Sequence, residues 1–367
     1  MGRRSGLPGL SKRRLEDAPS IDGRSELLKQ CFDQDARGLN ELFHRAYELS
    51  RKHFSNLIRF YIPSMVHYET SFCQATGAHR FPGISVTGSF CQLKCEHCNG
   101  QLLESMISAT RPPELLEVCI KIKNQGGIGC LISGGSLRDG SVPLMKFIPT
   151  IRRVKRELGL RTVVHTGLVD VSLAKGLANA SIDAAMIDVI GSNDTIRGIY
   201  HLDEDVRSFD RSLSLLQENG IPTVPHIVVG IHYGKLKGES LAVEMVSKHT
   251  PAAVVIVALT PLSNTNMEHI SPPSPLDIAR VILASRLLMP EIPLLLGCAR
   301  PRGQHKVETD ILAIKAGVNG IAYPTEEALG FAEELGLKAK FHEKCCSLVW
   351  QDGSPDRMHQ PMTRFFR

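Results

Sequence analysis

No apolar run in this 367-residue sequence is longer than the eight residues Ala252–Leu259. A bilayer-crossing helix needs roughly 18 to 20, so no membrane span is expected. A field of one charge sign is lacking as well. The net charge of +5, from 43 basic and 38 acidic residues, equals the five cations Arg3, Arg4, Lys12, Arg13 and Arg14 of the N-terminal tail, and the remainder is neutral. Nucleic-acid binding needs a basic field spread over a folded face, so that class is disfavoured. The tail has no apolar signal core, and Gly6 stands where a myristoylation motif needs Ser or Thr, which points to a cytoplasmic protein. Ten cysteines are too few for a disulfide scaffold. What is present, 43% hydrophobic and 22% charged residues, suits a folded chain with one large core or two modest ones.

Residues 1–23 read as a basic tail and 24–80 as a helical extension, in which Leu27 to His53 carries helical periodicity. From Phe81 short apolar runs ending in Gly, Ser or Thr alternate with amphipathic stretches. The runs are Ile84 to Thr87, Cys130 to Ile132, Thr162 to His165, Ala184 to Ile190, Val224 to Val229, Ala252 to Leu259, Pro293 to Leu296 and Gly320 to Ala322. Eight such units over residues 81–337 predict an α/β fold, a (β/α)8 TIM-type barrel, whose chemistry sits on the loops after the strands. An open doubly wound sheet is the alternative, but the first strand-to-helix turn lacks the dinucleotide fingerprint. Residues 338–367 form a C-terminal tail.

The cysteines cluster. Phe90-Cys91-Gln-Leu-Lys-Cys95-Glu-His97-Cys98 spaces three thiols as C-x3-C-x2-C in the loop after the first strand. Such a loop can curl three thiolates around one face of an iron–sulfur cubane and leave one iron open. A structural zinc site is the competing reading, although zinc takes four closed ligands and no second pair lies nearby.

This spacing in this place resembles the radical S-adenosylmethionine superfamily. The resemblance implies that Cys91, Cys95 and Cys98 hold a [4Fe-4S] cluster, that S-adenosylmethionine binds its open iron, and that a ferredoxin or flavodoxin supplies the electron which releases a 5'-deoxyadenosyl radical. It further implies that His97 contacts the adenine. Ser133-Gly134-Gly135-Ser136 resembles the Gly-Gly-Glu segment that receives the methionine amino group, with Ser136 in place of the Glu. Asp188 and Asn193 match the ribose positions, and Gly230-Ile231 opens the element beside the adenine, which runs on to Glu239. Glycines after strands and a lone aspartate also serve as turn formers and helix caps.

The segments Gly297-Cys298-Ala-Arg300-Pro-Arg302 and Asp310 to Tyr323 resemble the biotin synthase branch. The three cysteines that hold biotin synthase's second cluster have no counterpart at Leu131, Val163 and Val224. Cys73, Cys298, Cys345 and Cys346 lie elsewhere and are candidates for an auxiliary cluster, whereas Cys31, Cys119 and Cys130 read as core residues. Beside a hydrogen-abstracting radical, such a cluster suggests sulfur donation. The chain is similar to one component of the two-component lipoyl synthases, which implies a second radical S-adenosylmethionine protein and an octanoylated carrier protein as partners. Arg300 would then touch the auxiliary cluster or an acidic substrate group, with an ion pair as the bland reading. His165, His226 and His232 follow strands three and five as candidate catalytic residues, or as satisfied structural histidines. Two alternatives stay open: a radical mutase or maturase without sulfur insertion, and a non-catalytic iron–sulfur or zinc protein.

Overall fold

The computed structural model describes residues 21–352 except 36, 64–67, 71, 72 and 75–78. Residues 1–20 of the basic tail and residues 353–367 therefore lie outside the described residues, as does the side chain of Cys73, while residues 21–23, expected in the tail, already belong to the first helix. Helices α1 (Ile21–Asp33) and α2 (Leu39–Phe54) bear out the periodicity of the extension. They are followed by β1 (Leu57–Tyr61) and a small antiparallel pair, β2 (Glu69–Thr70) with β3 (Cys73–Gln74).

The barrel strands are β4 (Gly83–Ser85), β6 (Gly129–Ser133), β7 (Arg161–His165), β8 (Ala184–Val189), β9 (Thr223–Val229), β10 (Val254–Ala258), β11 (Leu294–Leu296) and β12 (Gly320–Ala322), with β5 (Ile107–Ser108) beside β4. Between them run α3 (Pro112–Asn124), α4 (Ile148–Arg153), α5 (Val171–Ala180), α6 (Asn193–Gly198), α7 (Val206–Glu218), α8 (Glu239–Ser247), α9 (Pro275–Leu288) and α10 (Gln304–Lys315). α11 (Glu326–Glu334) leads to β13 (Lys338–His342). All eight expected strands form, paired in sequence order and parallel. The fully buried run of β10 shows why, since a strand covered on both faces by crossover helices reads as continuous apolar sequence. Local signals agree: Ser274 and Asp277 form a reciprocal capping box at α9, with Pro275 at its first position.

The sheet is parallel in the order β13-β1-β12-β11-β10-β9-β8-β7-β6-β4-β5. It curls. Tyr61 of β1 donates its hydroxyl to Asp352 (2.7 Å), while Arg161 of β7 donates to Gln351 (2.8 Å). These strands are six places apart in the order, about 29 Å in a flat sheet, yet they touch adjacent residues. The outcome is the expected TIM-type architecture with one departure. Among the described strands β12 pairs with β1 rather than β4, and β13 pairs with β1. The Arg80–Glu343 ion pair (3.1 Å) ties the approach to β4 to the exit of β13.

Two cores result. One lies between the sheet and its helices; the other fills the inside of the curl, where Val163, Met186, Val224, Val255, Leu295 and Ala322 pack with Cys345, Cys346, Leu348 and Val349. Part of the C-terminal tail, the 3-10 segment Cys346–Gln351, is thus threaded through the barrel.

Candidate metal centre and cofactor pocket

The cluster loop leaves the C-terminal end of β4, where barrels of this type present chemistry. Its path is tight: Lys94, Asn99 and Gly100 take positive φ of 48°, 46° and 83°, and Asn99 N–H donates back to the Cys95 carbonyl at 2.9 Å. The turn buries Cys91, Cys95 and Cys98. Ligand atoms of Cys95, His97 and Cys98 all lie within 4.8 Å of one another. Against the cost of burial, a hydrogen bond from the Cys95 thiol pulls the Cys98 thiol down to about 4, helped by His97, while Cys95 is pushed up. One thiolate is therefore already favoured. His97 Nδ1 is buried without a hydrogen-bond partner.

Two neighbouring loops grip this one. From β6, Ser136 carbonyl accepts from Gln92 N–H (2.9 Å) and faces the Cys91 thiol (3.8 Å). Gly135 lies so close that a Cβ there would stand 2.1 Å from the Phe90 carbonyl and 2.6 Å from Cys91 Cα, so a side chain at this position displaces the loop. Its N–H donates to Thr87 Oγ1 (2.7 Å), and Ser133 Oγ donates to the His165 carbonyl (3.2 Å). After β8, Ile199 carbonyl accepts from Glu96 N–H (3.0 Å) and the Tyr200 ring packs 5.3 Å from His97. Glu96 also pairs with His201 (3.0 Å) and accepts from Asn266 Nδ2 (2.7 Å).

Tyr200 is a site residue that sequence reasoning missed. Burial first, then the charges of Asp188, Cys95, Cys98 and Glu239, push its phenol well above the ordinary value. Nothing in its local sequence marks it, because the approach is made by folding. Glu239 accepts from the N–H groups of Gly230 (2.8 Å) and Lys237 (2.6 Å). Gly230 itself is at φ 70°, with Pro273 2.6 Å from where a Cβ would be, and Ile231 is buried beside it.

Inside the curl His165 and His226 come together, with ring centroids 5.9 Å apart. Asp188 joins them, its Oδ1 3.3 Å from His165 Nε2. Burial opposes both charges, but their attraction outweighs it: His165 is raised and Asp188 lowered. His226 Nδ1 is 3.0 Å from the Val224 carbonyl, and burial pulls its pKa down to about 4; the ring is neutral, with Nδ1 as donor. The side chains of His165 and Asp188 keep 27% and 37% of their surface exposed, so an opening reaches them. His232 does not join this group; its Nδ1 contacts Thr195 Oγ1 (3.1 Å). Asn193 is exposed, and its Oδ1 accepts from Val206 N–H (3.0 Å) at the start of α7.

The Cys345 thiol is pulled down to about 7 by a hydrogen bond from Cys346, against burial, with Ser347 and His165 assisting. Cys298, exposed after β11, is raised by burial of its thiol and by the charge of Cys345. Cys345 and Cys346 lie in the inner core and the charge of Cys345 reaches Cys298, though among the described residues these three thiols do not gather as closely as Cys95, His97 and Cys98.

Arg300 corrects the sequence reading. All five of its N–H groups are used inside the protein: two on the Asp310 carboxylate (2.7 and 3.0 Å), the others on the carbonyls of Gly297, Ala322 and Tyr323. It staples β11 to β12 and offers nothing to a cluster or substrate, and the ion-pair reading prevails.

No protein-family model matches the chain. It is 22% identical over 340 residues to the biotin synthase of Marinobacter nauticus, covering 86% of this chain and 88% of that one. The biotin synthase of Halorhodospira halophila is 26% identical over 288 residues, with coverage of 77% and 81%. Among solved structures, methylornithine synthase superposes with a TM-score of 0.58 at 16% identity over 88% of this chain and 94% of that one. The FeFe-hydrogenase maturase HydG of Carboxydothermus hydrogenoformans gives 0.59 at 14% identity, covering 87% and 80%. The structural likenesses concern the fold. The cysteine trio together with the biotin synthase relatives supports a radical S-adenosylmethionine enzyme with a [4Fe-4S] cluster and S-adenosylmethionine as cofactors.

Proposed function

We propose that this chain uses S-adenosylmethionine to remove hydrogen from an unactivated carbon and that it serves sulfur insertion, as one component of a lipoyl synthase acting on an octanoylated carrier protein beside a second radical protein. The observation that supports the first part is the buried trio at the end of β4, with one thiolate favoured and an unpartnered His97 nitrogen beside it. Cys91, Cys95 and Cys98 would hold the cluster. When bound, cluster and S-adenosylmethionine together supply a radical able to break a C–H bond.

The other residues orient and exclude. The glycine pair of the β6 loop leaves its backbone open to the methionine end, and Gly135 fixes how near the loop lies to Cys91. Tyr200 and His97 form an aromatic wall for the nucleoside. Asp188 and His165 hold one proton between them at the cavity floor, and neutral His226 stands next to them as an acceptor. The sulfur-insertion part is supported by Cys345 and Cys346 in the inner core, with Cys298 within electrostatic reach of both. A second reading, a mutase or maturase of the same branch without sulfur insertion, is favoured by the looser grouping of these thiols.

Anaerobic reconstitution followed by iron and sulfide counting, with mass spectrometry of an octanoylated carrier, separates the two. Roughly eight irons per chain and a carrier that gains sulfur in the presence of the partner are expected. About four irons, with deoxyadenosine released but no mass added, would establish the second reading instead.

A further inference from the structure

With Arg300 committed to Asp310, Lys306 is a cation at the same strand end without a carboxylate partner among the described residues. It lies in the first turn of α10, directly after the β11 loop, half-buried. Among the described residues no hydrogen bond or ion pair holds its ammonium, which lies over the ring of Tyr68 with Nζ 5.9 Å from the centroid. That ring is fixed, since Tyr68 donates its hydroxyl to the Pro324 carbonyl (2.6 Å) and packs 5.6 Å from the Tyr323 ring. The nearby carboxylate is fully engaged. Asp310 gives one oxygen to Arg300 Nε and shares the other between Arg300 Nη2 and Thr325 N–H. Arg302, exposed two residues beyond Arg300, likewise has no acidic partner among the described residues.

A half-buried ammonium with no counter-ion is an energetic deficit that a bound anion removes. The pKa agrees: burial and then the charge of Arg300 push Lys306 down to about 8, with Arg302 adding and Asp310 opposing. The loop after the seventh strand is also where barrels of this architecture often take anionic groups.

We propose that Lys306 anchors a carboxylate at the barrel mouth, borne by an acidic side chain of the carrier or by a free acid because the carrier-linked octanoyl group has none of its own, with Arg302 drawing it in. A single ammonium held over an aromatic ring suits a monoanion, because it offers one positive charge whose direction the ring fixes. A phosphate dianion would keep half its charge uncompensated. The inference deepens the reading above and rests on it only in naming the carrier.

Calorimetric titration of the full chain with octanoate, octanamide, inorganic phosphate and an octanoylated carrier domain tests it. Octanoate should bind saturably and octanamide roughly tenfold more weakly. Lys306→Met should lower octanoate affinity by roughly tenfold, while Lys306→Arg keeps most of it. Stronger binding of octanoate than of the carrier identifies a free acid as the source of the carboxylate; the reverse identifies an acidic side chain of the carrier. Equal octanoate affinity in wild type and Lys306→Met, preference for phosphate, or no anion bound at all overturns the proposal. Should the Met variant not fold, the wild-type chain with 13C-methylated lysines decides: the Lys306 resonance moves with octanoate, or the proposal fails. The titration needs neither cluster nor electron donor, so its failure and that of sulfur insertion are read separately.

Discussion

At the residue scale, the chemistry-bearing trio was legible in the sequence because three ligands in one loop need no fold to bring them together. Residues that meet across the fold were legible only by type. His165, His226 and His232 looked equivalent at strand ends, yet two pack against each other inside the curl and the third faces Thr195. Arg300 is the clearest case. Its spacing from Asp310 is ten residues, and only the packing of β11 on β12 makes them a buried bidentate pair with both side chains at 0% exposure. Arg300→Met should therefore cost about 3–5 kcal/mol in urea unfolding, because it leaves Asp310 charged and buried. Arg300→Lys should recover little, since one ammonium cannot replace five directed N–H groups. A variant as stable as wild type would contradict the staple.

At the element scale, all eight barrel strands were readable from short apolar runs, seven of which end in Gly, Ser or Thr. Two flanking strands were not. β1 carries Arg59 within five residues, and β13 reads Lys-Ala-Lys-Phe-His with four of five residues exposed. Both lack the continuous apolar character of strands covered on both faces. The exposed lysines of β13 suit a sheet edge, where charge discourages pairing with another chain. The threading of residues 345–352 was equally invisible, since a short Leu-Val-Trp stretch says nothing of what surrounds it. Leu348 is fully buried in the inner core. Leu348→Ala should lower stability by about 2–5 kcal/mol, as measured by chemical denaturation. A loss near zero would mean that the segment does not fill the barrel.

At the scale of the whole molecule, the curl sets the cluster loop, the histidine pair and the C-terminal thiols around one interior. The trio's loop is held from both sides, by the β6 loop through Ser136 and by the segment after α6 through Ile199 and His201. Three strand ends thus fix the loop of the thiol trio, and the tail that completes the inner core also brings Cys345 within electrostatic reach of His165. The central claim is that Cys91, Cys95 and Cys98 grip a cubane whose remaining iron accepts S-adenosylmethionine. Electron paramagnetic resonance of the reconstituted, dithionite-reduced protein tests it most directly. The account predicts a [4Fe-4S]+ signal that changes when S-adenosylmethionine is added and is lost in Cys95→Ala; a signal indifferent to S-adenosylmethionine, or stoichiometric zinc with no signal, would contradict it.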